Sequence, residues 1–358
     1  MIVPVVLLMV GLAVLVAGGE ALVRGGGRLG RALGLSPLVV GLTIVAFATS
    51  APELAVSVDA TLSGSAGLAV GNVVGSNITN ILLVLGVAAL LLPVAVRSQM
   101  LRRDVPVMVG LSILLLALSM SGTISRFEGA ALVTLLVVYL AWSVTVARRS
   151  NGEAVGPSAA TDPPRVRPVD LALVAVGIGL LVLGARLLVT GAVEIAAAVG
   201  LSDLVIGLTV ISIGTSLPEV TTSVIAALRG ERELAVGNVV GSNIFNVGAV
   251  MGVTAIVSPT GVPVADAAIR FDVPVMVAAA IVLLPVIYTR STIERWEAAL
   301  FLAYYVVYVA YLLLEAGDHD SLPAFSAALL WFVLPLTALA LAVLVMHEVR
   351  RRRRAERD

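Results

Sequence analysis

Apolar runs of about 20 residues follow one another along nearly the whole of this chain, and each is long enough to cross the hydrocarbon core of a bilayer. Of the 358 residues, 59% are hydrophobic and only 13% charged. A soluble domain of this length needs a far larger charged surface. The sequence therefore specifies an all-α polytopic membrane protein. Eleven helices are predicted, at 2–22, 37–61, 67–93, 104–121, 127–147, 169–190, 203–228, 233–257, 271–289, 295–315 and 323–347. The N-terminal run lacks the basic segment that opens a signal peptide and has a counterpart in "LALVAVGIGLLVLGARLLVTGAVE", so it reads as a retained first helix. Cysteine is absent, and His319 and His347 lie near the ends of the last run. Thiolate chemistry and a buried imidazole metal site are thereby set aside.

The chain repeats itself. "GLTIVAFATSAPELAVSV" (41–58) aligns with "GLTVISIGTSLPEVTTSV" (207–224) at nine of 18 positions, and "LAVGNVVGSNITN" (68–80) with "LAVGNVVGSNIFN" (234–246) at 12 of 13, both at an offset of 166. "RDVPVMV" (103–109) returns as "FDVPVMV" (271–277). Between the halves, the polar stretch 147–170 is rich in Pro, Gly, Ser and charge, the composition of a linker and too short for a domain. The expected division is a first five-helix repeat at 1–146, a cytoplasmic linker at 147–168, a second repeat at 169–315, and an additional helix with an Arg-rich tail at 316–358.

Arginine supplies every basic residue, and its placement gives the topology. With the N-terminus outside, the inside loops carry Arg24, Arg28 and Arg31, then Arg97, Arg102 and Arg103, the linker arginines, Arg229 and Arg232, and Arg290 and Arg295. The outside loops keep Arg126 and Arg270. The tail "RRRRRAERD" (350–358) returns to the inside, where it fixes orientation or touches anionic lipid rather than nucleic acid. Five helices separate equivalent positions, so the repeats enter the membrane in opposite directions. Inverted-topology repeats are the plan of many secondary transporters, whose sites lie at the midplane.

Glu53 and Glu219 fall near the middles of helices 2 and 7. A carboxylate there costs about 2.5–3.5 kcal/mol on insertion scales. Pro52 and Pro218 lack an amide hydrogen, so the carbonyls of Ala48 and Gly214 lose their helical partners. Such groups are tolerated in a membrane only where something else satisfies them. Thr49, Ser50, Thr215 and Ser216 add hydroxyls. On helices 3 and 8, Ser76 with Asn80 and Ser242 with Asn246 share a face at i, i+4, with Asn77 and Asn243 beside them. Gly71 and Gly75, and Gly237 and Gly241, are spaced for close helix packing. The donor set is oxygen throughout, suited to Na⁺ or Ca²⁺ rather than zinc or copper. Asp59 and Arg186 have no matching charge in the other repeat and read as local. Asp104 and Asp272, beside "VPVMV", read as helix N-caps.

The paired motifs "GLTIVAFATSAPE" with "GNVVGSNITN", and "GLTVISIGTSLPE" with "GNVVGSNIFN", resemble the two alpha repeats of the calcium/cation antiporter superfamily, most closely its prokaryotic sodium/calcium exchanger branch. The resemblance covers 41–110 and 207–277 by motif and 1–315 by plan. It implies a ten-helix core, to which the eleventh helix is an addition, and four cation sites around the two glutamates. Position by position it implies, as metal ligands, the Ala46 carbonyl, Thr49, Ser50, Glu53, Ser76 and Asn80, with the Ser212 carbonyl, Thr215, Ser216, Glu219, Ser242 and Asn246. Helices 1 and 6 would slide across the core once it is loaded. One of the positions matching Asn80 and Asn246 is often Asp in such exchangers. Here both are amides, which bears on stoichiometry and ion choice.

The expected function is antiport of Na⁺ against Ca²⁺ by alternating access, with both ions as cargo, no cofactor, and no enzymatic step. H⁺- or K⁺-coupled cation antiport on the same fold, and a passive cation channel, are the alternatives. The expected location is the cytoplasmic membrane, with Ca²⁺, Na⁺ and the lipid bilayer as partners and no nucleic acid.

Overall fold

The structure is a computed structural model. It describes residues 2–64, 66–95, 100–154, 166–200, 212–290, 292–317, 319 and 321–329, with isolated positions beyond. The first half comprises α1 (Ile2–Ala32), α2 (Pro37–Leu62), α3 (Gly67–Leu91), β1 (Val94–Ala95), α4 (Val105–Ser119), β2 (Thr123–Ile124) and α5 (Arg126–Ala154). The second comprises α6 (Pro168–Ala198), α7 (Leu217–Leu228), α8 (Arg232–Val257), β3 (Val262–Pro263), α9 (Val273–Arg290), β4 (Thr292–Ile293) and α10 (Arg295–Ala316), followed by α11 (Leu322–Ala328). Among the described residues, eight helices are long and apolar enough to cross a membrane. The N-terminal part of the helix expected at 203–228, most of that expected at 323–347, residues 155–165 of the linker and the arginine tail lie outside the described residues.

The duplication seen in the sequence is an equivalence of elements, and it extends to their ends. Gly34 and Gly200, at the same offset, close α1 and α6 in left-handed conformation with φ of 70° and 85°. Only glycine adopts that conformation without a Cβ penalty, so both helices stop at equivalent points.

α1 and α6 pack along their whole length, and the reason is a glycine seam. Gly11, Gly18 and Gly25 recur every seven residues on α1, as do Gly177, Gly184 and Gly191 on α6. A seven-residue spacing keeps them on one face. A Cβ at Gly11 would stand 2.6 Å from the Leu188 nitrogen, and one at Gly191 would stand 2.6 Å from the Pro4 carbonyl oxygen. Gly18 abuts Gly177 and Leu181 between these points. The register therefore runs backwards: the equivalent helices are antiparallel, as inverted repeats require. Without side chains between them, the backbones come close enough for dispersion to hold them where lipid provides no hydrophobic drive.

α3 and α8 form the centre and are nearly enclosed, whereas α1, α5, α6 and α10 turn apolar side chains such as Val6, Val138, Leu183 and Val306 outward. Two short antiparallel ladders cross between the halves. β1 pairs with β4 (Val94 with Ile293) and β2 with β3 (Thr123 with Pro263). Each half thus lends a strand to a loop of the other. At two residues apiece, the strands are too short to show an alternating pattern in the sequence.

The expected capping role of Asp104 and Asp272 is not what the structure shows. Asp104 adopts helical φ/ψ (−78°, −43°) and its side chain receives no amide of its own helix. A π-helical turn, Met100–Asp104, leads into α4, and another, Ala268–Asp272, leads into α9. With the backbone already helical, the carboxylates reach sideways instead. The Tyr139 hydroxyl donates to Asp104 at 2.9 Å and the Tyr308 hydroxyl to Asp272 at 3.1 Å. Asp59 and Arg186 are exposed, in keeping with a local role.

The seam yields a paired test. Gly184→Leu drives a side chain into the α1 backbone and should lower the melting midpoint or abolish recovery of folded protein. Gly179→Leu, on the same helix with nothing within 4 Å, should be tolerated. Equal melting of the two variants in detergent would refute the packing role.

Candidate functional site

Four helices meet at the centre: α2, which carries the "TSAPE" motif, α7, whose first turn holds the last three residues of "TSLPE", and α3 and α8, which carry "GNVVGSN". The pairing crosses between the halves. α2, with Glu53, packs on α8 and on the turn that begins at Asn246, whereas α7, with Glu219, packs on the turn that begins at Asn80. Gly237 and Gly241 allow the first of these contacts, since a Cβ at either would lie 2.6 Å from the Leu38 carbonyl oxygen or 2.7 Å from the Ala46 Cβ, respectively. Gly71, in the equivalent position on α3, has nothing within 4 Å among the described residues.

Of the residues the sequence singles out, Thr49, Ser50, Glu53, Ser76, Asn80, Ser216, Glu219, Ser242 and Asn246 are each no more than 4% exposed. Ala46 is buried, Thr215 is half-buried, and the backbone of Ser212 opens the helical turn Ser212–Thr215 ahead of α7. The two glutamates lie within each other's electrostatic reach. Thr49 joins the halves: its Oγ1 lies 3.1 Å from Asn238 Oδ1, 3.2 Å from Ser242 Oγ and 3.3 Å from the Ala46 carbonyl oxygen. Asn246 donates through Nδ2 to Asn77 Oδ1 at 3.1 Å, which aims its own Oδ1 away from that bond.

Proline acts differently in the two halves. α2 continues as a helix through Pro52, after a π-helical turn at Gly41–Val45 in which the Ala46 amide reaches back to the Gly41 carbonyl. The equivalent helix is interrupted at Ser216, with Pro218 in the first turn of α7. The loss of helical partners expected at both prolines therefore accompanies a visible break in one half only. In the other, the missing Pro52 amide leaves the Ala48 carbonyl short of a helical donor without ending the helix.

Two further π-helical turns begin at the candidate ligands themselves, at Asn80–Val84 and Asn246–Met251. Such insertions shift a helix face by a residue and concentrate at functional sites. Nothing in the apolar residues around them announces the change of winding. Asn72 and Asn238 were also missed. They precede Ser76 and Ser242 by one turn and recur in both copies of the motif, so the duplication itself held the signal.

Which polar atoms lack a partner is the most informative property of the site. Both carboxylate oxygens of Glu53 and of Glu219, the Ser50 and Ser216 hydroxyls, both polar atoms of the Asn80 amide and Asn246 Oδ1 are buried without a hydrogen bond. Buried polar groups are almost always paired, and each exception needs an explanation. Among the described residues others occur at Asp104, Asp170, Thr222 and Thr254, but the nine atoms at the candidate ligands form the largest group. Oxygens make up all of them but one, with neither sulfur nor imidazole. No cluster of three His, Cys, Asp or Glu occurs among the described residues. Two buried carboxylates on elements that also carry hydroxyl, amide and carbonyl oxygens suit hard, oxygen-seeking cations.

The chain is similar to known proteins over most of its length. The family described as sodium/calcium exchanger protein matches residues 3–145 and 169–314. CaxA of Alkalimonas amylolytica is 40% identical over 287 residues, covering 79% of this chain and 89% of its own length. The sodium/calcium exchanger MaX1 of Methanosarcina acetivorans is 31% identical over 324 residues, covering 78% and 90%. Among solved structures, the sodium-calcium exchanger NCX_Mj soaked with 10 mM Na⁺ and zero Ca²⁺ superposes with a TM-score of 0.74 at 33% identity, over 86% of this chain and 98% of that one.

Unpaired buried carboxylates carry a cost that an isosteric amide reduces, by about 1–3 kcal/mol where the charge is uncompensated. Glu53→Gln and Glu219→Gln should each raise the melting midpoint in sodium- and calcium-free buffer with chelator. An unchanged or lower midpoint would mean that these carboxylates are satisfied in some other way.

Proposed function

The chain belongs to the sodium/calcium exchanger family, and from that premise we propose that it is a secondary antiporter that exchanges Na⁺ for Ca²⁺ by alternating access. Members of this family are membrane transporters, not enzymes. The observation that carries the proposal is the pair of buried, unpartnered carboxylates, Glu53 and Glu219, each on the opposite half from the amide turn it packs near.

In this reading the cations are cargo held by Glu53 and Glu219, by the hydroxyls of Thr49, Ser50, Ser76, Thr215, Ser216 and Ser242, by the amide oxygens of Asn80 and Asn246, and by the Ala46 and Ser212 carbonyls. Flexible oxygen sets of this kind accommodate Ca²⁺ with six to eight ligands. Two carboxylates left without counter-charge while the moving helices close water off from them would face a desolvation cost of several kcal/mol per ion. One Ca²⁺ or more than one Na⁺ removes that cost, so the loaded protein switches and the empty one does not. That rule turns two binding equilibria into exchange and suppresses leak. The names of MaX1 and NCX_Mj support sodium as the coupling ion.

The moving part is assigned to the α1–α6 pair, which lies against the central helices as a unit with its own glycine seam. The proposed domains are the five-helix repeats 1–146 and 169–315, the linker 147–168, and the additional segment 316–358. The arginine distribution supports an outside N-terminus with the linker and tail inside a cytoplasmic membrane.

The test is uptake of radioactive Ca²⁺ into proteoliposomes, with Na⁺, K⁺ or H⁺ gradients imposed separately. Uptake should follow an outward Na⁺ gradient, and Glu53→Gln and Glu219→Gln should reduce it to background at equal protein. Drive by protons alone would overturn the coupling ion. Wild-type flux in either variant would overturn the site.

A further inference from the structure

Asn238 lies outside the ligand set above, yet it touches the residue that joins the halves. It sits on α8, is fully buried, and spans two neighbours: Oδ1 faces Thr49 Oγ1 at 3.1 Å, and Nδ2 faces Ser223 Oγ at 3.0 Å. Which end of an amide is nitrogen is ordinarily assigned from its partners. The duplication decides it here. Asn72, the equivalent residue on α3, faces Ser57 Oγ at 2.9 Å and the Glu53 backbone carbonyl at 3.2 Å with the same end. A carbonyl only accepts, so that end is Nδ2. Ser57 and Ser223 are equivalent positions, so the serine-facing end of Asn238 is also Nδ2, and Oδ1 faces Thr49.

Thr49 has one hydroxyl proton and three neutral oxygens within hydrogen-bond distance, with the Glu219 carboxylate, the group a bound cation would engage, also close enough to draw on it. Of the three, Asn238 Oδ1 is the nearest, and it is an obligate acceptor. If the proton goes instead to the Ala46 carbonyl, as a threonine in a helix does by default, both oxygens are less available to a cation. One lone pair of the carbonyl is then occupied, and the hydroxyl lone pairs turn toward a different side. With the proton on Asn238, the Ala46 carbonyl and the Thr49 oxygen both present lone pairs, and Ser242 beside them is free to rotate.

We propose that Asn238 is a positioning residue that takes the Thr49 hydroxyl proton, held in place by Ser223, and thereby keeps the Ala46 and Thr49 oxygens available to a cation. The proposal rests on the cation-site reading above. It explains why a motif built for close helix packing carries a buried amide one turn away from its serine ligand.

The experiment measures half-saturating Ca²⁺ and maximal rate in proteoliposomes, with melting midpoints in detergent as the folding control. Asn238→Leu keeps the volume and loses the acceptor, whereas Asn238→Asp keeps an acceptor oxygen. Losing one buried hydrogen bond and the ligand geometry it sets should raise half-saturating Ca²⁺ by about tenfold in Asn238→Leu, with a smaller change in Asn238→Asp. In a Thr49→Ala background the same substitution should add less than about twofold, because coupled neighbours are not additive. If Asn238→Leu is not recovered folded, Ser223→Ala supplies the second variant, with a smaller shift expected in the same direction and none in the Thr49→Ala background. Full additivity with Thr49→Ala, or unchanged half-saturation in Asn238→Leu while Glu219→Gln is inactive, would overturn the role of Asn238 and leave the site standing. Normal flux in Glu219→Gln would overturn the site, and with it this inference.

Discussion

Two carboxylates buried without hydrogen-bond partners in a membrane-spanning core set the terms for everything around them. Charge in such a place is costly unless something compensates it. No arginine reaches either glutamate among the described hydrogen bonds and ion pairs. The arginines that do pair, such as Arg24 and Arg229 with Glu20, lie away from the "TSAPE" and "TSLPE" motifs. A fixed positive partner would neutralise the site for good. Its absence from the described ion pairs leaves compensation to mobile cations, which is the physical content of the proposed exchange.

The surrounding packing follows from keeping this centre dry and close. Gly237 and Gly241 bring α8 against α2, so that Thr49 of one half reaches Asn238 and Ser242 of the other. The crossed ladders β1–β4 and β2–β3 bind the loops of each half to the other. Among the lipid-facing helices, α1 and α6 join chiefly through glycines, with the Arg28–Asp170 contact near one end. Each layer uses the interaction its surroundings make strong: hydrogen bonds in the centre, backbone contact in lipid.

Much of this was legible because the chain states it twice. A lone Glu in an apolar run, or a lone GxxxG, has a mundane explanation, but the same constellation at one offset does not. Repetition located every candidate ligand, and the structure buries most of them together. What escaped has physical causes. The π-helical turns at Asn80 and Asn246 depend on how a helix is wound, which apolar neighbours do not encode. The Asp104 and Asp272 partnership with Tyr139 and Tyr308 joins residues over 30 positions apart, whereas capping is a local rule and the backbone there is already helical. Pro52 and Pro218 share a sequence context, yet one sits within a continuous helix and the other follows a break.

In the proposed alternating-access exchange, the departures from symmetry bear on transport as much as the symmetry does. Two identical inverted halves would make the two access states equal in energy, differing only in the side they face. Glu20 on α1 ties to Arg229 at the end of α7, but the equivalent positions in the other half are Arg186 and Ser63, which cannot form that pair. Arg28 approaches Asp170 at 3.9 Å, whereas the equivalent positions hold Glu194 and Pro4. Both ionic contacts involve α1 near the arginine-rich loop and have no counterpart at its other end. In a duplicated protein, such unmatched contacts are where a preference for one state over the other is written, because everything matched cancels.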